Sequence, residues 1–362
     1  MPKDFVTALC IKKKKMKQIF FFRLLILLPF ILNSCAKSSI PYTQDGDWIT
    51  RSQLNGPARS EAVSFTIGNY AYLGTGWDGL NTRYADFWQY DPVNDNWSQV
   101  GSMPSSAARS DAVGMATDAK GYVGTGYDGF NYLQDFWEFD PNANSWARKA
   151  NFPGGTRYEA VGFGIGNFVY VGTGFDGLNA HKDFYRYDPS ADAWNEIGFS
   201  GNKRYSAVAF VYNNKGYVVT GVNSGTAQGD FWVYDPSQQS TSWTELRHIF
   251  NYSTESYDDG YTNIERWNAS AFVIKGTKYG DKAYISTGEN GTLMVATWEY
   301  DFLTDLWKPK SNFEGPATTG GVGITVQNRG YIATGRTGNG QASQSDYLRE
   351  FHPNDVINPN NN

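Results

Sequence analysis

A five-residue signature, Tyr-x-x-Thr-Gly, occurs six times along this chain at nearly constant spacing. The intervals between successive copies are 50, 48, 47, 67 and 47 residues. An aromatic-Asp-Pro turn follows each of the first four copies and decays after the last two. The copies begin at Tyr72, Tyr122, Tyr170, Tyr217, Tyr284 and Tyr331. Repetition at such a period is typical of propellers, solenoids and other arrays of one structural unit.

Each repeat has the pattern of a four-stranded antiparallel unit. Stretches such as "EAVSFTIG" and "YAYLGTG" alternate apolar and polar positions, and Gly, Pro, Asn and Asp separate them. A fourth strand is marked by a Trp that usually comes six residues after the Asp of the turn. These residues are Trp97, Trp146, Trp194, Trp243 and Trp307. One such sheet cannot bury both faces, whereas radial stacking of several sheets can, so the repeat predicts an all-β fold.

The last repeat lacks a Trp strand, and an unassigned Trp precedes the first repeat. Trp48 lies 49 residues before Trp97, which is also the interval from Trp97 to Trp146. We therefore predict a six-bladed β-propeller that the N-terminal strand closes. The predicted boundaries are 47–353 for the propeller, 36–46 for a short linker and 354–362 for a disordered tail.

This pattern resembles the kelch repeat, with Tyr-x-x-Thr-Gly standing where kelch units commonly carry a Gly-Gly pair. The resemblance extends from Trp48 to about Pro353. Chains of this sort are often called galactose-oxidase-like, but the copper-radical chemistry of that enzyme needs Tyr, His and a thioether-forming Cys. Here the three histidines fall in different repeats, and both cysteines precede the repeats. We expect no metal, no cofactor and no catalytic residues.

Residues 1–35 have the features of a lipoprotein signal peptide. A Lys-rich stretch, "KKKKMK", precedes the nine-residue apolar run Leu24–Leu32, which is too short to span a bilayer. The run leads into Leu32-Asn33-Ser34-Cys35, which resembles the lipobox of bacterial lipoproteins; Met16 is an alternative start. We predict that Cys35 is lipidated and anchors the protein in the outer membrane, on the periplasmic side or at the cell surface.

The charge distribution argues against a nucleic-acid partner. The whole chain has a formal net charge of -5, but the first 35 residues hold seven of its 31 basic residues and one of its 36 acidic residues. The remainder is therefore strongly acidic, whereas phosphate binding needs a basic surface.

Three sets of residues are candidates for ligand binding at the channel mouth. In a propeller, the loops between blades and the loops between each blade's second and third strands lie on one face. An Arg at the start of the innermost strand occurs in five repeats: Arg59, Arg109, Arg157, Arg204 and Arg266. Carboxylates follow two residues later at Glu61, Asp111 and Glu159. The longer loops carry Trp77, Tyr127 and Phe175, whose rings suit the faces of sugars.

Structural interpretations compete with each of these functional ones. The Arg series can hold loops together, and the Asp-Gly pairs that follow the loop aromatics are ordinary turn residues. Pairs such as Asp78 and Asn81 permit a weaker calcium interpretation. The extra residues 246–265, between the fourth and fifth repeats, are either a surface insertion or a binding flap.

The sequence favours a monomeric, membrane-anchored recognition module that binds a glycan or a partner protein at the channel mouth. The alternative is an enzyme. Sialic-acid epimerases of the bacterial periplasm resemble this chain in size and blade number, and anomer interconversion needs a carboxylate acid/base and an Arg. The mouth residues supply both types, although no specific motif of that family is recognisable.

Overall fold

The computed structural model describes residues 45–238, 242–338 and 343–361. Within these ranges, the strands form six four-stranded antiparallel sheets and one two-stranded hairpin. The innermost strands of neighbouring sheets contact one another in a closed circuit that returns from the sixth sheet to the first. The six sheets, called blades 1 to 6, therefore form the predicted six-bladed β-propeller. In the same ranges, no helix has the length and apolarity that crossing a bilayer requires.

The strands are numbered in chain order from β1, which spans Asp45–Arg51. Blade 1 contains β2 (Val63–Ile67), β3 (Tyr70–Gly74), β4 (Phe87–Asp91) and β5 (Asn96–Val100). Blade 2 contains β6 (Val113–Ala116), β7 (Gly121–Gly124), β8 (Phe136–Asp140) and β9 (Ser145–Lys149). Blade 3 contains β10 (Val161–Ile165), β11 (Phe168–Gly172), β12 (Phe184–Asp188) and β13 (Ala193–Glu196). A single turn of 3-10 helix, Ser105–Ala107, lies between blades 1 and 2.

Blade 4 contains β14 (Val208–Tyr212), β15 (Lys215–Val219), β18 (Phe231–Tyr234) and β19 (Trp243–Leu246). Its loop forms the separate hairpin of β16 (Val222–Asn223) and β17 (Thr226–Ala227). Blade 5 contains β20 (Ser270–Thr277), β21 (Gly280–Ser286), β22 (Thr297–Asp301) and β23 (Leu306–Lys310). Blade 6 contains β24 (Val322–Val326), β25 (Arg329–Ala333) and β26 (Leu348–Val356), with β1 as its fourth strand.

The N-terminal strand closes the ring as predicted. β1 pairs antiparallel with β26, with Trp48 opposite Phe351, and it is the outermost strand of blade 6. Trp48 is fully buried and contacts the rings of Phe272, Phe313 and Phe351. Blades 5 and 6 therefore share a core to which the first described strand contributes.

The propeller extends beyond its predicted limits at both ends. β1 begins at Asp45, within the predicted linker, and β26 continues to Val356, past Pro353. The backbone N–H of Asn358 and the side-chain amide of Asn361 donate to the carboxylate of Asp47, at 2.8 and 2.7 Å. The prediction of a disordered tail after residue 353 is therefore wrong for these residues, because they pair with and bond to β1. Residues 1–44, including Cys35 and most of the predicted linker, lie outside the described residues.

Six apolar clusters make up the core, and each lies between two adjacent blades. The cluster between blades 1 and 2, for example, joins Phe65, Tyr72 and Phe87 to Val123 and Phe139. The repeated Trp also connects blades. In blades 1 to 4 its indole N–H donates to a backbone carbonyl beyond the preceding blade's last strand, as from Trp146 to Gly101 (2.7 Å) and from Trp194 to Ala150 (3.0 Å). This contact accounts for the Trp in these four blades.

Candidate functional site

Six residues, one from each blade, form a hydrogen-bonded ring around one end of the central channel. All six have positive φ angles, between 50° and 64°. The backbone N–H of each donates to the carbonyl of its neighbour in the preceding blade, at 2.8 to 3.1 Å, and the sixth residue is bonded to the first. We call this ring the collar; it consists of Glu61, Asp111, Glu159, Ser206, Asn268 and Gly320.

The channel inside the collar is lined by small side chains. Directly after the collar residues come Ala62, Ala112, Ala160, Ala207, Ala269 and Gly321, and these residues line the passage. As a result, the collar side chains determine the chemistry of this end of the channel.

A cavity of about 320 Å³ lies at the collar. We call it the mouth cavity. The three predicted carboxylates, Glu61, Asp111 and Glu159, lie in its wall. The other lining residues include Trp77, Arg83, Asn268, Arg336 and Gln344. The volume is at the lower end of the range for small-molecule sites.

Burial raises the pKa values of all three carboxyl groups, and repulsion between carboxylates adds to the rise at Glu61 and Glu159. The pKa of Glu61 lies well above its usual value because the group is buried and faces Asp111 and Glu159, although Arg336 opposes the rise. Burial also raises the pKa of Asp111 against the charges of Arg83 and Arg336. Burial, followed by the charge of Asp111, raises the pKa of Glu159 to about 8. Glu159 therefore retains its proton at neutral pH and can donate as well as accept hydrogen bonds.

Two arginines that the sequence analysis did not select stand beside these carboxyl groups. An η-nitrogen of Arg336 lies 3.1 Å from Oε1 of Glu289, and its Nε lies 3.8 Å from Oε1 of Glu61. The guanidinium of Arg83 lies over the Tyr127 ring, 4.7 Å from its centroid, and 5.7 Å from that of Trp77. The mouth thus combines acidic, basic and aromatic groups.

The five predicted arginines are fully buried inside the blades rather than in the mouth. In blades 1 to 4 each one forms an ion pair with an Asp just before the third strand, as Arg109 does with Asp135 at 2.7 Å. Each also donates to the carbonyl of the Thr in the repeated Thr-Gly, as Arg109 does to Thr125 at 2.9 Å. These contacts match the interpretation that the series holds loops together, and a ligand in the mouth cavity would not touch the guanidinium groups.

The predicted loop aromatics occupy three different environments. Trp77 lines the mouth cavity. Tyr127 contacts Arg83, and its hydroxyl donates to the carbonyl of Gly129 at 2.7 Å. Phe175 lines a separate cavity between blades 3 and 4. The three residues follow the same face of the propeller without converging on one point.

The Asp residues of these loops serve as turn residues. One carboxylate oxygen of Asp128 accepts the backbone N–H groups of Phe130 and Asn131, at 2.7 and 2.6 Å. Asp78 and Asp176 accept equivalent bonds in blades 1 and 3. In the described ranges, no group of three or more His, Cys, Asp or Glu side chains is arranged to hold a metal ion. The calcium interpretation therefore has no support from the geometry.

The insertion of residues 246–265 packs against the blades. Ile249, Tyr261 and Ile264 are buried in the core between blades 4 and 5. The hydroxyl of Tyr261 accepts the backbone N–H of Trp307 in β23 at 2.6 Å. The residues that line the mouth cavity include none from this segment. These contacts favour the structural interpretation of the insertion over a binding flap.

Comparisons with known proteins agree with this architecture. Residues 58–104 match the family model described as Kelch motif. The solved structure described as "Structure of YjhT" is similar, with a TM-score of 0.64 and 16% sequence identity over 82% of this chain and 95% of that chain. The chain is a six-bladed β-propeller that contains a kelch motif. A comparison with curated proteins found no match.

One column of the repeat contains two charged residues near the mouth, Glu289 and Arg336, that sequence reasoning missed. The residue directly after each Thr-Gly lies beside the collar, and its type varies from blade to blade. In order, these residues are Trp77, Tyr127, Phe175, Val222, Glu289 and Arg336. The first three were predicted to bind a ligand because their side chains are aromatic rings. Variation of charge within an otherwise regular column was the signal that would have identified Glu289 and Arg336.

Proposed function

We propose that this protein is a membrane-anchored recognition module that binds a glycan at its mouth cavity. The observation that carries the proposal is the collar, which brings three carboxyl groups together in the wall of a cavity that also contains Trp77 and two arginines. Kelch propellers act in general as binding or recognition modules, and this one presents its most varied side chains at the mouth.

The chemistry of the cavity suits a polyhydroxylated ligand. The protonated carboxyl group of Glu159 offers both a donor and an acceptor, as sugar hydroxyls do. Trp77 provides an aromatic face, against which the C–H face of a sugar ring can lie. A largely apolar ligand would fit the cavity poorly, because it would leave the buried carboxyl groups without hydrogen-bond partners.

A glycan array tests the proposal directly. The full chain, purified in detergent, should bind a defined subset of glycans. Trp77→Ala and Glu159→Gln should each weaken that binding at least tenfold, whereas Glu196→Gln, on the exposed last strand of blade 3, should not. Binding that survives both mouth substitutions would place the site elsewhere. If the chain bound no glycan on the array but bound another protein, the ligand would be a partner protein.

An enzymatic role remains the alternative, and a mutarotation assay separates it from recognition. Incubation of the protein with sialic acid, followed by NMR of the anomeric signals, should show no rate above the spontaneous one. Turnover above that rate, lost in Glu159→Gln, would replace the recognition module with a sugar epimerase.

The lipid anchor is a separate part of the proposal, and it rests on the sequence around Cys35. Two or three acyl chains hold a protein stably at a membrane, whereas a single chain does not. Cys35→Ala should move the protein from the membrane fraction to the soluble fraction of the cell, and Cys10→Ala should not. Membrane attachment that persists in Cys35→Ala would contradict lipidation at this residue.

A further inference from the structure

A second cavity, of about 350 Å³, opens on the same face between blades 3 and 4. We call it the blade 3–4 pocket. Its apolar lining consists of Phe175, Leu178, Ala180 and Tyr205, with the Phe175 and Tyr205 rings 4.9 Å apart. Asn179, Lys203, Asn223 and Ser224 supply its polar groups. The cavity does not share lining residues with the mouth cavity.

The preceding junction explains why this pocket is open. Between blades 2 and 3, Tyr132 stacks on Tyr158 with ring centroids 4.9 Å apart and an interplanar angle of 22°. The strand bridges make Tyr205 the counterpart of Tyr158, because the two pair with equivalent loop residues, Val222 and Phe175.

By the same bridges, Ala180 is the counterpart of Tyr132, since Phe175 pairs with Ala180 as Tyr127 pairs with Tyr132. At the blade 3–4 junction an alanine therefore stands where blade 2 has a stacking ring. The small side chain of Ala180 leaves the space beside Tyr205 open.

The loop of blade 4 contributes to the opening. In the first three blades the residue after Thr-Gly is aromatic, but in blade 4 it is Val222, which is buried at the start of the short hairpin β16–β17. The hairpin presents Asn223 and Ser224 to the pocket. Polar side chains thus stand at the edge of a space bounded by rings.

Among the described residues that line this pocket, Lys203 is the one with a charged side chain, and its charge is positive. This sign is opposite to that of the carboxyl-rich collar. An ammonium group beside a ring-sized space favours a ligand ring that bears an anionic substituent, because the bond between them is charge-assisted.

We propose that the blade 3–4 pocket is a second saccharide subsite, which takes a hexose ring bearing a carboxylate or a sulfate. The ring stacks on Tyr205 where Tyr132 stacks on Tyr158 in the preceding junction, and the anionic group faces Lys203. Asn179 and Asn223 are positioned to bond the ring hydroxyls. The inference rests on the proposed glycan recognition and adds an acidic sugar unit to it.

Three monosaccharides test this inference by ligand-observed NMR titration of the full chain in detergent. Galacturonate and galactose 6-sulfate carry the two anionic groups, and galactose is the neutral control. At low ionic strength, at least one of the two anionic sugars should bind tenfold more tightly than galactose. Which of them binds identifies the substituent. Equal affinity of all three sugars would overturn the proposal.

Two substitutions locate the binding. Ala180→Tyr restores the ring that blade 2 carries and should reduce the affinity of the anionic sugar at least tenfold, whereas Ala180→Ser keeps the space open and should bind as the wild type does. Lys203→Gln should remove the preference for the anionic sugar over galactose. Wild-type affinity in Ala180→Tyr would exclude this pocket as the site.

The same variants on the glycan array separate the inference from the proposed function. Array binding that is unchanged in Ala180→Tyr and Lys203→Gln, but lost in Trp77→Ala, would reject the second subsite and retain recognition at the mouth. Array binding that is lost in Ala180→Tyr but unchanged in Trp77→Ala would reject the mouth site instead.

Discussion

At the scale of single residues, the buried arginines show how one repeat position is satisfied in different ways. Blades 1 to 4 pair the Arg with an Asp, whereas blade 5 has Ala296 at the Asp position, and Arg266 donates to backbone carbonyls, including that of Ala296 at 2.8 Å. Burial without a carboxylate lowers the pKa of Arg266 to about 9. Blade 6 has Thr318 at the Arg position and no charge there.

Removal of one of these carboxylates should be costly. Asp135→Ala leaves the fully buried guanidinium of Arg109 without its ion partner, and we expect a loss of about 3 kcal/mol in the free energy of unfolding. Burial acts to raise the pKa of Asp135, but bonds and charge from Arg109 lower it overall, so this contribution should disappear as the pH falls through that lowered pKa. Urea denaturation of Asp135→Ala and of exposed Asp118→Ala provides the test. Equal losses of unfolding free energy in the two variants would show that the Arg109–Asp135 ion pair does not stabilise the fold.

Ionisation of the mouth carboxyl groups should lower the stability of the fold, whereas ionisation of Asp135 raises it. The folded-state pKa of Glu159 is raised to about 8, so the folded protein binds more protons than the unfolded chain between about pH 4.5 and 8, and stability falls as the pH rises through this range. Glu159→Gln should therefore be more stable than the wild type by about 4 kcal/mol at pH 8, and about equal to it at pH 4. Denaturation curves at both pH values, with Glu196→Gln as the control, measure this difference. A constant difference across pH would contradict the raised pKa.

At the scale of elements, the repeat allowed the blades to be predicted but not the direction of the mouth side chains. Aromatic and Gly spacing identified all six blades, because strand alternation and turn chemistry are local properties. The collar depends on positive φ angles at Glu61 and its counterparts, and few non-glycine residues adopt them. Such a residue interrupts the period-two alternation. The sequence therefore did not show that Arg59 is buried while Glu61, two residues later, lines the cavity.

Two glycines with positive φ provide a test of the collar. Gly320, with a φ of 64°, lies beneath the carboxylate of Glu61, and a Cβ there would overlap it. Gly68, with a φ of 57°, has open space around it. Each Gly→Ala substitution should cost about 1 kcal/mol of stability, because alanine disfavours this conformation. Only Gly320→Ala should also weaken glycan binding, since it displaces the flexible end of Glu61.

Thermal melting and array binding of these two variants separate the effects. We expect the two variants to lower the melting temperature equally. Only Gly320→Ala should lose glycan binding. Unchanged binding in Gly320→Ala would show that the position of Glu61 does not matter to recognition.

At the scale of the whole molecule, ring closure depends on one strand that comes from the other end of the chain. β1 reaches β26 across about 300 residues of sequence, and Trp48 fills the core between blades 5 and 6. The propeller therefore has no complete sixth blade until both ends of the domain are in place. Its folding is accordingly expected to be slow, because this closure contact is strongly non-local.

Trp48→Ala should reveal how much the closure contributes. Trp48 is fully buried among three aromatic rings, and we expect its truncation to cost about 3 to 5 kcal/mol. Trp77→Ala, at the half-buried mouth, is the matched control and should cost about 1 kcal/mol. Guanidinium denaturation measures both, and hydrogen exchange should show faster opening of β26 in Trp48→Ala only. Similar losses in both variants would mean that the closure strand is not a special source of stability.

In the collar, the backbone maintains the shape of the ring and the side chains set its binding specificity, so the two can evolve separately. Its six residues bond to one another through backbone N–H and C=O groups, so their side chains make none of the bonds that close the ring. Glu, Asp, Ser, Asn and Gly already occupy equivalent positions in this one chain. Genes that descend from this one can therefore change ligand through point substitutions at the six collar positions. The duplicated repeat meanwhile preserves the backbone on which these side chains stand.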